Sequence, residues 1–510
     1  MKLKHLSTAM ILATLPATGV FAAALDRSGQ SMSAFFQPGN YFEAGLSVLD
    51  PTVEGQEAGK TPAPHDQIKD MADDYYFPTA AVKLQFNDKF SFGLLYDQPF
   101  GAAATYSGNN IFVANGADKA FSPALEDVIM ARAKPTFDAL TSEQRVGLAV
   151  SKQLQTAGVD LTTAAGQALL KTKTGETLAV YNANTDIGRL TKATIDNGIL
   201  QGVTQQYRDA INKADTTVQG VKGATSVDVD TESLSMVFGF SPIKNITLYA
   251  GPVYQLVKGD ISLRGSAYSV YNGYDLHIKN TDGWGWLAGA AYQIPEIALK
   301  ASLTYRSEID HDVKNATETG YEAIGALYPT EVAAIKNGSG TTTVTTPQSV
   351  NIDLQSGIMA DTVAFANIRW VNWKDFAVQP YKFGQISKLA TAATGGKGFN
   401  LVEYSDDQYS VTAGVGRKLN EKWAGNVSVG WDSGAGNPVT TLGPTEGYWN
   451  LGVGMQYSPA SNYFIAGGVK YFWLGDAKAQ SGADAGTDAY LAEFKDNHAI
   501  AYGMKIGYRF

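Results

Sequence analysis

The 510-residue sequence contains no cysteine, so neither disulfide bonds nor thiolate sites can form. Beyond the N-terminus, no segment reaches the ~18 consecutive apolar residues of a membrane-spanning helix, and we therefore expect no helical anchor. The net charge is −9 and the basic residues form no stripe, which argues against nucleic acid as a partner. These absences leave β-strands as the elements by which the chain could contact a membrane.

Sequence motifs of the common enzyme classes are also absent. The chain has no G-x-S-x-G, no G-x-x-x-x-G-K-[ST] and no H-E-x-x-H. Of the five histidines, His311 lies at a predicted strand-to-loop edge, where we expect it to be solvated. We predict that the chain is not an enzyme and has no catalytic residue, metal site or cofactor. A catalytic cluster that assembles only in three dimensions is the alternative, because motifs do not transfer between folds.

The N-terminus has the three parts of a secretory signal peptide. Lys2 and Lys4 form a basic segment, residues 9–20 form an apolar one, and Ala22-Ala23-Ala24 provides a small-residue cleavage site. We therefore predict that residues 1–24 are a signal peptide and that the remaining chain is exported.

Residues 499–510 alternate between a large apolar face and a small or charged face. The apolar face comprises Ile500, Tyr502, Met504, Ile506, Tyr508 and Phe510, and the other comprises Ala501, Gly503, Lys505, Gly507 and Arg509. This alternation suits a strand with lipid on one side and water on the other. A half-buried strand of a soluble sandwich alternates too, so a single strand does not decide between them.

The same alternation recurs along the chain, with aromatic residues at the strand ends. It is found in residues 284–292, 299–305, 423–431, 449–457 and 463–473. Short connections (87–90, 241–245, 293–296, 419–422 and 458–462) alternate with long polar ones (54–74, 265–283, 314–347, 376–405, 433–446 and 475–495). Short turns on one side and long loops on the other are typical of outer-membrane barrels. We predict an all-β membrane protein in which residues 41–510 form an antiparallel transmembrane β-barrel of about 14 strands.

Two segments depart from the strand pattern. Residues 107–225 contain helix signals, including a capping box at residues 141–144, and connect the third and fourth predicted strands on the long-loop side. We predict a helical extracellular insertion here, which either covers the barrel mouth or captures a substrate or partner. Residues 25–40 precede the first strand and form either a disordered terminus or a plug folded back into the lumen.

Several segments resemble the FadL family of outer-membrane transporters of long-chain fatty acids and other hydrophobic compounds. LDRSGQS, QPGNYFEAG and VLDP are similar to the family's plug and first strand, and NDKFSFGLLYDQPFGAAATY is similar to its third strand. GWGWLAGAAYQIPEIALKASLTYRSEIDHDVK, RWVNWKDF and YSVTAGVGRKLNEKWAGNVSVGWDSG are similar to later strands. The resemblance covers most of the chain apart from residues 107–225. Two features differ: Gln37-Pro38-Gly39-Asn40 replaces the Asn-Pro-Ala often found in the plug, and the large outer loop lies earlier.

The resemblance implies a monomer in the outer membrane of a Gram-negative bacterium, surrounded by lipid and lipopolysaccharide. Its implied function is uptake of a long-chain fatty acid or another hydrophobic small molecule. This molecule would bind in the barrel, pass a rearranging plug (residues 25–40, with Leu25, Phe35 and Phe36) and leave sideways through the wall. A general diffusion porin for small polar solutes is the alternative, since it shares the barrel signature but should lack the plug and a broken strand.

The predicted third strand is interrupted by Pro99, Phe100 and Gly101 within LLYDQPFGAAATY (94–106). Proline cannot donate a ladder hydrogen bond, and glycine permits unusual backbone angles. An apolar molecule gains nothing by crossing a water-filled lumen, and the similar strand of the family is kinked inward. We therefore predict that Pro99, Phe100 and Gly101 form a lateral gate; a simple bulge near the rim is the alternative.

Cationic side chains on predicted inward faces could bind an acidic head group, because arginine and lysine pair with carboxylates. We select Arg306, Arg369, Lys83 and Lys470 as candidate ligand-binding residues. The alternative is that these cations pair with carboxylates of the polar lumen, as Arg306 could with Glu308.

Overall fold

The computed structural model describes residues 25–314, 316–392 and 395–510, which contain a closed antiparallel barrel of 14 strands. The strands are β1 (Tyr41–Thr52), β2 (Tyr75–Gln85), β3 (Phe90–Asp97, continued by Gly101–Thr105), β4 (Ser226–Ile243), β5 (Ile246–Leu263), β6 (Tyr274–Ile294), β7 (Leu299–Arg306), β8 (Ser349–Met359), β9 (Thr362–Val371), β10 (Gln408–Lys418), β11 (Trp423–Asp432), β12 (Tyr448–Ala460), β13 (Tyr463–Leu474) and β14 (His498–Arg509). The predicted fold class is confirmed. The predicted signal peptide, residues 1–24, lies outside the described residues.

Each barrel strand pairs with its neighbours in sequence, and β14 closes the barrel against β1. The closing register places Leu46 opposite Met504. A closed barrel has no free strand edges, and its strands satisfy one another's backbone groups, as a lipid environment requires.

Side chains on the barrel strands alternate between an accessible outer face and a buried inner face. On β14, for example, Met504 points outward and is 60% exposed, whereas Ala501 and Lys505 are buried. The outer positions are those that the sequence pattern predicts to be apolar, so the predicted lipid-facing surface is confirmed for this strand.

The predicted short turns are confirmed, because strands end and resume at 87–90, 241–245, 293–296, 419–422 and 458–462. The predicted long loop at 265–283 is wrong in its extent, since β5 runs to Leu263 and β6 already begins at Tyr274. The outward side chains of this region are polar, and Asp260 lies 2.6 Å from the ring of His277. β5 and β6 thus continue beyond the apolar band of the barrel. Their outward residues there are polar, as the residues of a loop would be.

Short strands outside the barrel organise its loops. Gly55–Glu57, Gln67–Ile68, Val439–Thr440, Ala477–Gln480 and Ala492–Phe494 form a five-stranded sheet. Val113–Asn115 pairs with Lys222–Ala224, Ala377–Val378 pairs with Val402–Glu403, and Thr317–Thr319 pairs with β6. Single-turn helices lie at Ser266–Tyr271, Pro295–Ile297, Glu322–Ala326 and Gly482–Asp484.

A hairpin of Ile309–Lys314 and Thr341–Thr346 packs on the inner face of β6. Gly283 of β6 makes room for it, since a Cβ there would lie 2.9 Å from the ring of His311. The prediction that His311 is solvated is wrong: its side chain is fully buried, and Nε2 lies 3.0 Å from Oε1 of Gln255.

Gly116–Gly220 and Glu322–Ala333 form a second compact unit, which is mostly helical. The helices of Gly116–Gly220 are α1 (Pro123–Ala131), α2 (Ala133–Asp138), α3 (Ser142–Thr156), α4 (Ala164–Tyr181) and α5 (Asp186–Val218). The helices predicted within residues 107–225 are confirmed, as is the capping box of Thr141 and Gln144. Two helices, α6 (Pro329–Asn337) and α7 (Tyr381–Thr391), occupy segments predicted as loops. No helix in the described part of the chain is both long and apolar enough to cross a membrane.

Replacing Val453 by Arg tests the outer face. Val453 is 53% exposed and lies midway along β12, between Trp449 and Tyr457 at the two aromatic ends. A charge at the centre of the lipid-facing band should destabilise the folded barrel by about 2–4 kcal/mol, measured by denaturant titration in lipid vesicles. Leu419→Arg, in a turn, is the control and should cost about 1 kcal/mol or less. Equal effects of the two substitutions would contradict the assigned outer face.

Candidate functional site

β3 is interrupted by a bulge at Pro99. Its first half ends at Asp97, which lies opposite Ser233 of β4. Its second half begins at Gly101, opposite Asp230. Three residues of β3 therefore face two residues of β4 between these pairs, so β3 carries one extra residue.

Thr231 on β4 supports the bulge by bonding both backbone groups of Phe100. Its Oγ1 accepts the Phe100 N–H at 2.8 Å, and its own N–H donates to the Phe100 carbonyl at 3.1 Å. The predicted interruption of the third strand is confirmed, and on the β4 side it has the form of a bulge.

On its other side, the bulge leaves part of β2 without a backbone ladder to β3. β2 pairs with the first half of β3 only as far as Ala80 opposite Tyr96. Within the described chain, residues 76–79 form no ladder with β3, and backbone pairing resumes only at the isolated bridge between Ala72 and Ala104. We call this unpaired stretch the wall opening.

Residues 25–40 lie inside the barrel as a plug, and the first of them pair with the interrupted strand. The Gly101 N–H donates to the Leu25 carbonyl at 2.9 Å, and the Arg27 N–H donates to the Pro99 carbonyl at 2.7 Å. The plug therefore supplies backbone partners that β2 does not provide.

A buried ion pair joins Asp26 of the plug to Arg369 of β9. The arginine donates from Nε and Nη2 to the two carboxylate oxygens, at 2.7 and 3.1 Å. The two side chains are only 5% and 2% exposed. Arg369 also donates to Asn351 at 2.7 Å, and Asn351 donates to the Gly29 carbonyl at 2.7 Å. Arg369, a predicted ligand-binding residue, is therefore engaged by the plug.

Two more of the predicted ligand-binding cations contact the plug. Nη2 of Arg306 lies 3.5 Å from Sδ of Met32, and Nη1 donates to the Ser235 hydroxyl at 3.0 Å. Lys83 donates to the carbonyl of Gln37 at 2.6 Å. Like Arg369, Arg306 and Lys83 therefore contact residues of the plug.

The plug phenylalanines pack against the barrel wall. The ring of Phe35 fills a notch between two glycines, since a Cβ at Gly93 or Gly239 would lie 2.6 or 2.8 Å from it. Phe36 makes an edge-on contact with Tyr249, with ring centroids 5.3 Å apart. Both residues therefore anchor the plug.

An apolar cavity, partly open to solvent, lies where the plug meets the bulge. Leu25 of the plug and Phe100 of the bulge both line it, and Trp373 contacts Phe100 edge to face with centroids 5.5 Å apart. Valine, isoleucine, leucine and aromatic side chains form most of the rest. Lys258 is the single charged residue among the described residues of this lining. The lining of the cavity is therefore suited to contact with an apolar molecule.

A second cavity lies beside the wall opening and has polar and charged residues in its lining. Its lining includes Thr79, Asp97 and Arg306, together with three serines of the plug. The carboxylate of Glu43 and the ammonium of Lys505 also line it, 3.3 Å apart. Among the described residues that line the two cavities, the predicted candidates Lys83, Arg369 and Lys470 do not occur.

The loop of residues 433–447 covers part of the apolar cavity with Thr440 and Leu442. Glu446 holds this loop, because its carboxylate accepts the N–H of Gly436 at 3.1 Å. Burial raises the pKa of the Glu446 carboxyl to about 7. The cover of the cavity therefore contains a group that titrates near neutral pH.

The sequence model of a family described as outer membrane protein transport protein (OMPP1/FadL/TodX) matches residues 210–510. The match covers more than half of the chain and includes β4 to β14. The chain belongs to this family. It is accordingly a Gram-negative outer-membrane protein, and the predicted family and localisation are confirmed.

Solved structures share the fold of this FadL-family protein. The crystal structure of a Pseudomonas aeruginosa FadL homologue is 11% identical, with 94% of this chain and 92% of that chain covered and a TM-score of 0.55. A deltaS2S3 mutant of TodX, a monoaromatic hydrocarbon channel, is 10% identical, with 96% and 97% covered and a TM-score of 0.50. At these identities the likeness shows the fold alone. No curated protein matches the chain at a significant level.

Sequence reasoning did not select the residues that hold the plug in this FadL-family protein. Asp26, Arg27 and Ser28 lie just after the predicted cleavage site, and each contacts the wall. The sequence feature that could have identified them is the pair of opposite charges, Asp26 and Arg27, in a segment expected to enter the lumen. A charge buried there requires a partner. That feature identifies the plug residues but not their partners on β3, β4 and β9.

Replacing Asp26 by Asn tests the ion pair of the FadL-family plug. The change leaves Arg369 buried without its carboxylate, which should cost about 3–5 kcal/mol. We expect displacement of the plug and a higher ion conductance of the purified protein in planar bilayers. Adding Arg369→Gln should reduce the excess conductance, and the exposed Asp375→Asn is the control. Unchanged conductance of Asp26→Asn would contradict the assigned role.

Titration of Glu446 should change the stability of the cover loop. The folded pKa of about 7 lies above the ordinary value of 4.5, so the folded loop binds more protons than the unfolded loop between these values. Stability is therefore greatest below pH ~4.5 and falls as pH rises through ~7. Amide exchange in residues 433–447, corrected for its intrinsic pH dependence, should be faster at pH ~8 than at pH ~5.5. Glu446→Gln should reduce the difference, and an unchanged difference would exclude Glu446 as the cause.

Proposed function

We propose that this FadL-family protein takes up neutral hydrophobic small molecules across the outer membrane. The molecule binds in the apolar cavity, the plug shifts, and the molecule leaves through the wall opening at Pro99, Phe100 and Gly101. The observation that carries the proposal is that plug and bulge meet in one cavity, since Leu25 and Phe100 both line it. A bound molecule therefore touches both parts that have to move.

A side exit is favoured by the physical chemistry of an apolar substrate. Apolar surface prefers to stay out of water, and a path down a polar lumen would expose it. The wall opening leads from the barrel interior toward the surrounding lipid between β2 and β3. Beside it, the Pro99 carbonyl and the Gly101 N–H of β3 bond to the plug, so a shift of the plug would both open the path and free this strand.

A neutral substrate is favoured because the cavity provides no free cation. Its single charged lining residue in the described chain, Lys258, lies 3.3 Å from Asp230, and its side chain is 53% exposed. Arg369 and Lys83 bind the plug. A carboxylate in this cavity would therefore lose its hydration without gaining a partner.

A long-chain fatty acid is the second candidate substrate. Lys258 is one of the residues around the apolar cavity, and its half-exposed ammonium, which now lies 3.3 Å from Asp230, would have to turn toward the cavity to pair with a carboxylate while the chain fills it. A general porin is less well supported, because a plug anchored by a buried ion pair occupies the lumen.

The surroundings of the barrel follow from the same proposal. We propose a monomer embedded in outer-membrane lipid and lipopolysaccharide, with residues 107–225 on the cell surface. Support for the surface position is that this segment joins β3 to β4 on the side of the long loops.

Crosslinking the plug to β3 tests the transport mechanism. Oγ of Ser28 lies 2.6 Å from Oδ2 of Asp97, and the chain has no cysteine, so Ser28→Cys with Asp97→Cys would be the only thiols. We expect oxidation to stop uptake of radiolabelled toluene and reduction to restore it. Each single cysteine variant is a control that oxidation should leave active. Full uptake in the oxidised double variant would contradict plug movement.

Ligand identity is tested on protein purified in detergent. Mass spectrometry of extracted lipophilic molecules, followed by displacement with toluene, hexadecane or oleate, separates neutral from acidic ligands. We expect neutral compounds to bind and Lys258→Met to leave their affinity unchanged. Preferential oleate binding that Lys258→Met abolishes would instead support the fatty acid, and large conductance without any bound lipophile would support a porin.

A further inference from the structure

We propose that Arg27 of the plug closes the wall opening and that its release is the step that opens it. This inference rests on the proposed lateral exit and names the side chain that controls it. The evidence is the position of the guanidinium between β2 and β3, its partners, and the one glycine that makes room for it.

The guanidinium of Arg27 lies between the two strands that fail to pair. Its Cζ lies 4.0 Å from the centroid of the Tyr75 ring on β2. On the other side is Gly101 of β3, where a Cβ would lie 2.1 Å from the same atom. Arg27 therefore fills the space that a continuous pair of strands would otherwise close. Any larger residue at position 101 would compete with it for that space.

An acidic residue on β4 holds the guanidinium in place. Nη1 of Arg27 donates to Oδ1 of Asp230 at 3.1 Å, and the arginine side chain is only 6% exposed. Arginine suits this position because its planar group can stack on an aromatic ring and bind a carboxylate at once. The backbone N–H of the same residue bonds to the Pro99 carbonyl at 2.7 Å. The side chain thus contacts β2 and β4, and the backbone N–H contacts β3.

Two features make the closed position releasable. Within the described chain, Nη2 of Arg27 is buried without a hydrogen-bond partner, which disfavours the closed state. Asp230 also lies 3.3 Å from the ammonium of Lys258. When Arg27 leaves, Lys258 still neutralises the Asp230 carboxylate. Opening therefore does not leave an unpaired negative charge in the wall.

Removing the arginine tests the proposal directly. We expect Arg27→Gln to raise ion conductance in planar bilayers and to speed toluene uptake severalfold, because the opening loses its occluding group. Arg27→Lys, which keeps the charge but not the planar group, should give an intermediate effect. Arg189→Gln removes an arginine of an exposed ion pair on α5 and is the control that should behave like the parent. Parental conductance and uptake in Arg27→Gln would overturn the proposal.

A second variant displaces the guanidinium without removing its charge. Gly101→Ala places a methyl group 2.1 Å from the present position of Cζ, and the flexible side chain is the part that can move away. We expect the same increase in conductance as for Arg27→Gln, and no further increase when both changes are combined. Additive effects of the two changes would show that they act at different places and would overturn the proposal.

Chemical rescue distinguishes occlusion from loss of the folded plug. Arg27→Cys would be the only thiol in the chain, and 2-aminoethyl methanethiosulfonate attaches a cationic side chain of similar length to it. We expect this reagent to lower the raised conductance, and the neutral methyl methanethiosulfonate to leave it raised. Equal effects of both reagents, or none from either, would contradict a role for the charge. If the crosslinked Ser28–Asp97 variant blocks uptake while all Arg27 variants behave like the parent, the transport proposal stands and this one fails.

Discussion

A barrel wall in lipid has to pair the backbone groups of every strand, and β3 meets this constraint with help from another part of the chain. Its bulge leaves backbone groups on the β2 side without a ladder partner. The plug provides partners through Leu25 and Arg27, while Thr231 bonds Phe100 from the β4 side. The opening and the plug are therefore one structural unit, since an unpaired strand in hydrocarbon would be costly.

This dependence explains why adjacent plug residues have different partners. Asp26 reaches Arg369 on β9, Arg27 reaches Asp230 on β4, and the next residue binds Asp97 on β3. The contacts span distant strands of the wall, so the position of the plug is fixed from several directions. Arg306 and Lys83 add further contacts. Most of the inward positive charge of the barrel thus serves to hold the plug.

The architecture was predictable from the sequence because lipid imposes a simple rule on each strand. Alternation at Ile500, Tyr502 and Met504, repeated in other segments, is sufficient to predict a barrel with about the right number of strands. The rule fails where strands leave the lipid, as at Asp260 and His277, because outward polar residues there also suit a loop.

The site was predictable only in part. The interruption at Pro99 is visible because proline removes a ladder donor. The partners of Arg306 and Arg369 were not predictable, because a cation on an inward face can bind a ligand or the protein equally well. His311 shows the same limit, since its burial depends on a hairpin that packs inside the barrel. Contacts between segments far apart in sequence decide these cases.

The extra residue in β3 has a consequence for the evolution of this strand. It changes which alternate residues face the barrel interior. In the second half of β3, Ala102 and Ala104 are buried and Thr105 is exposed. Loss of one residue between Asp97 and Gly101 would reverse this alternation. Small side chains would then turn away from the apolar cavity, and Thr105 would turn inward. The number of residues in the bulge should thus be constrained more strongly than their identity, and insertions or deletions there should be rarer than substitutions.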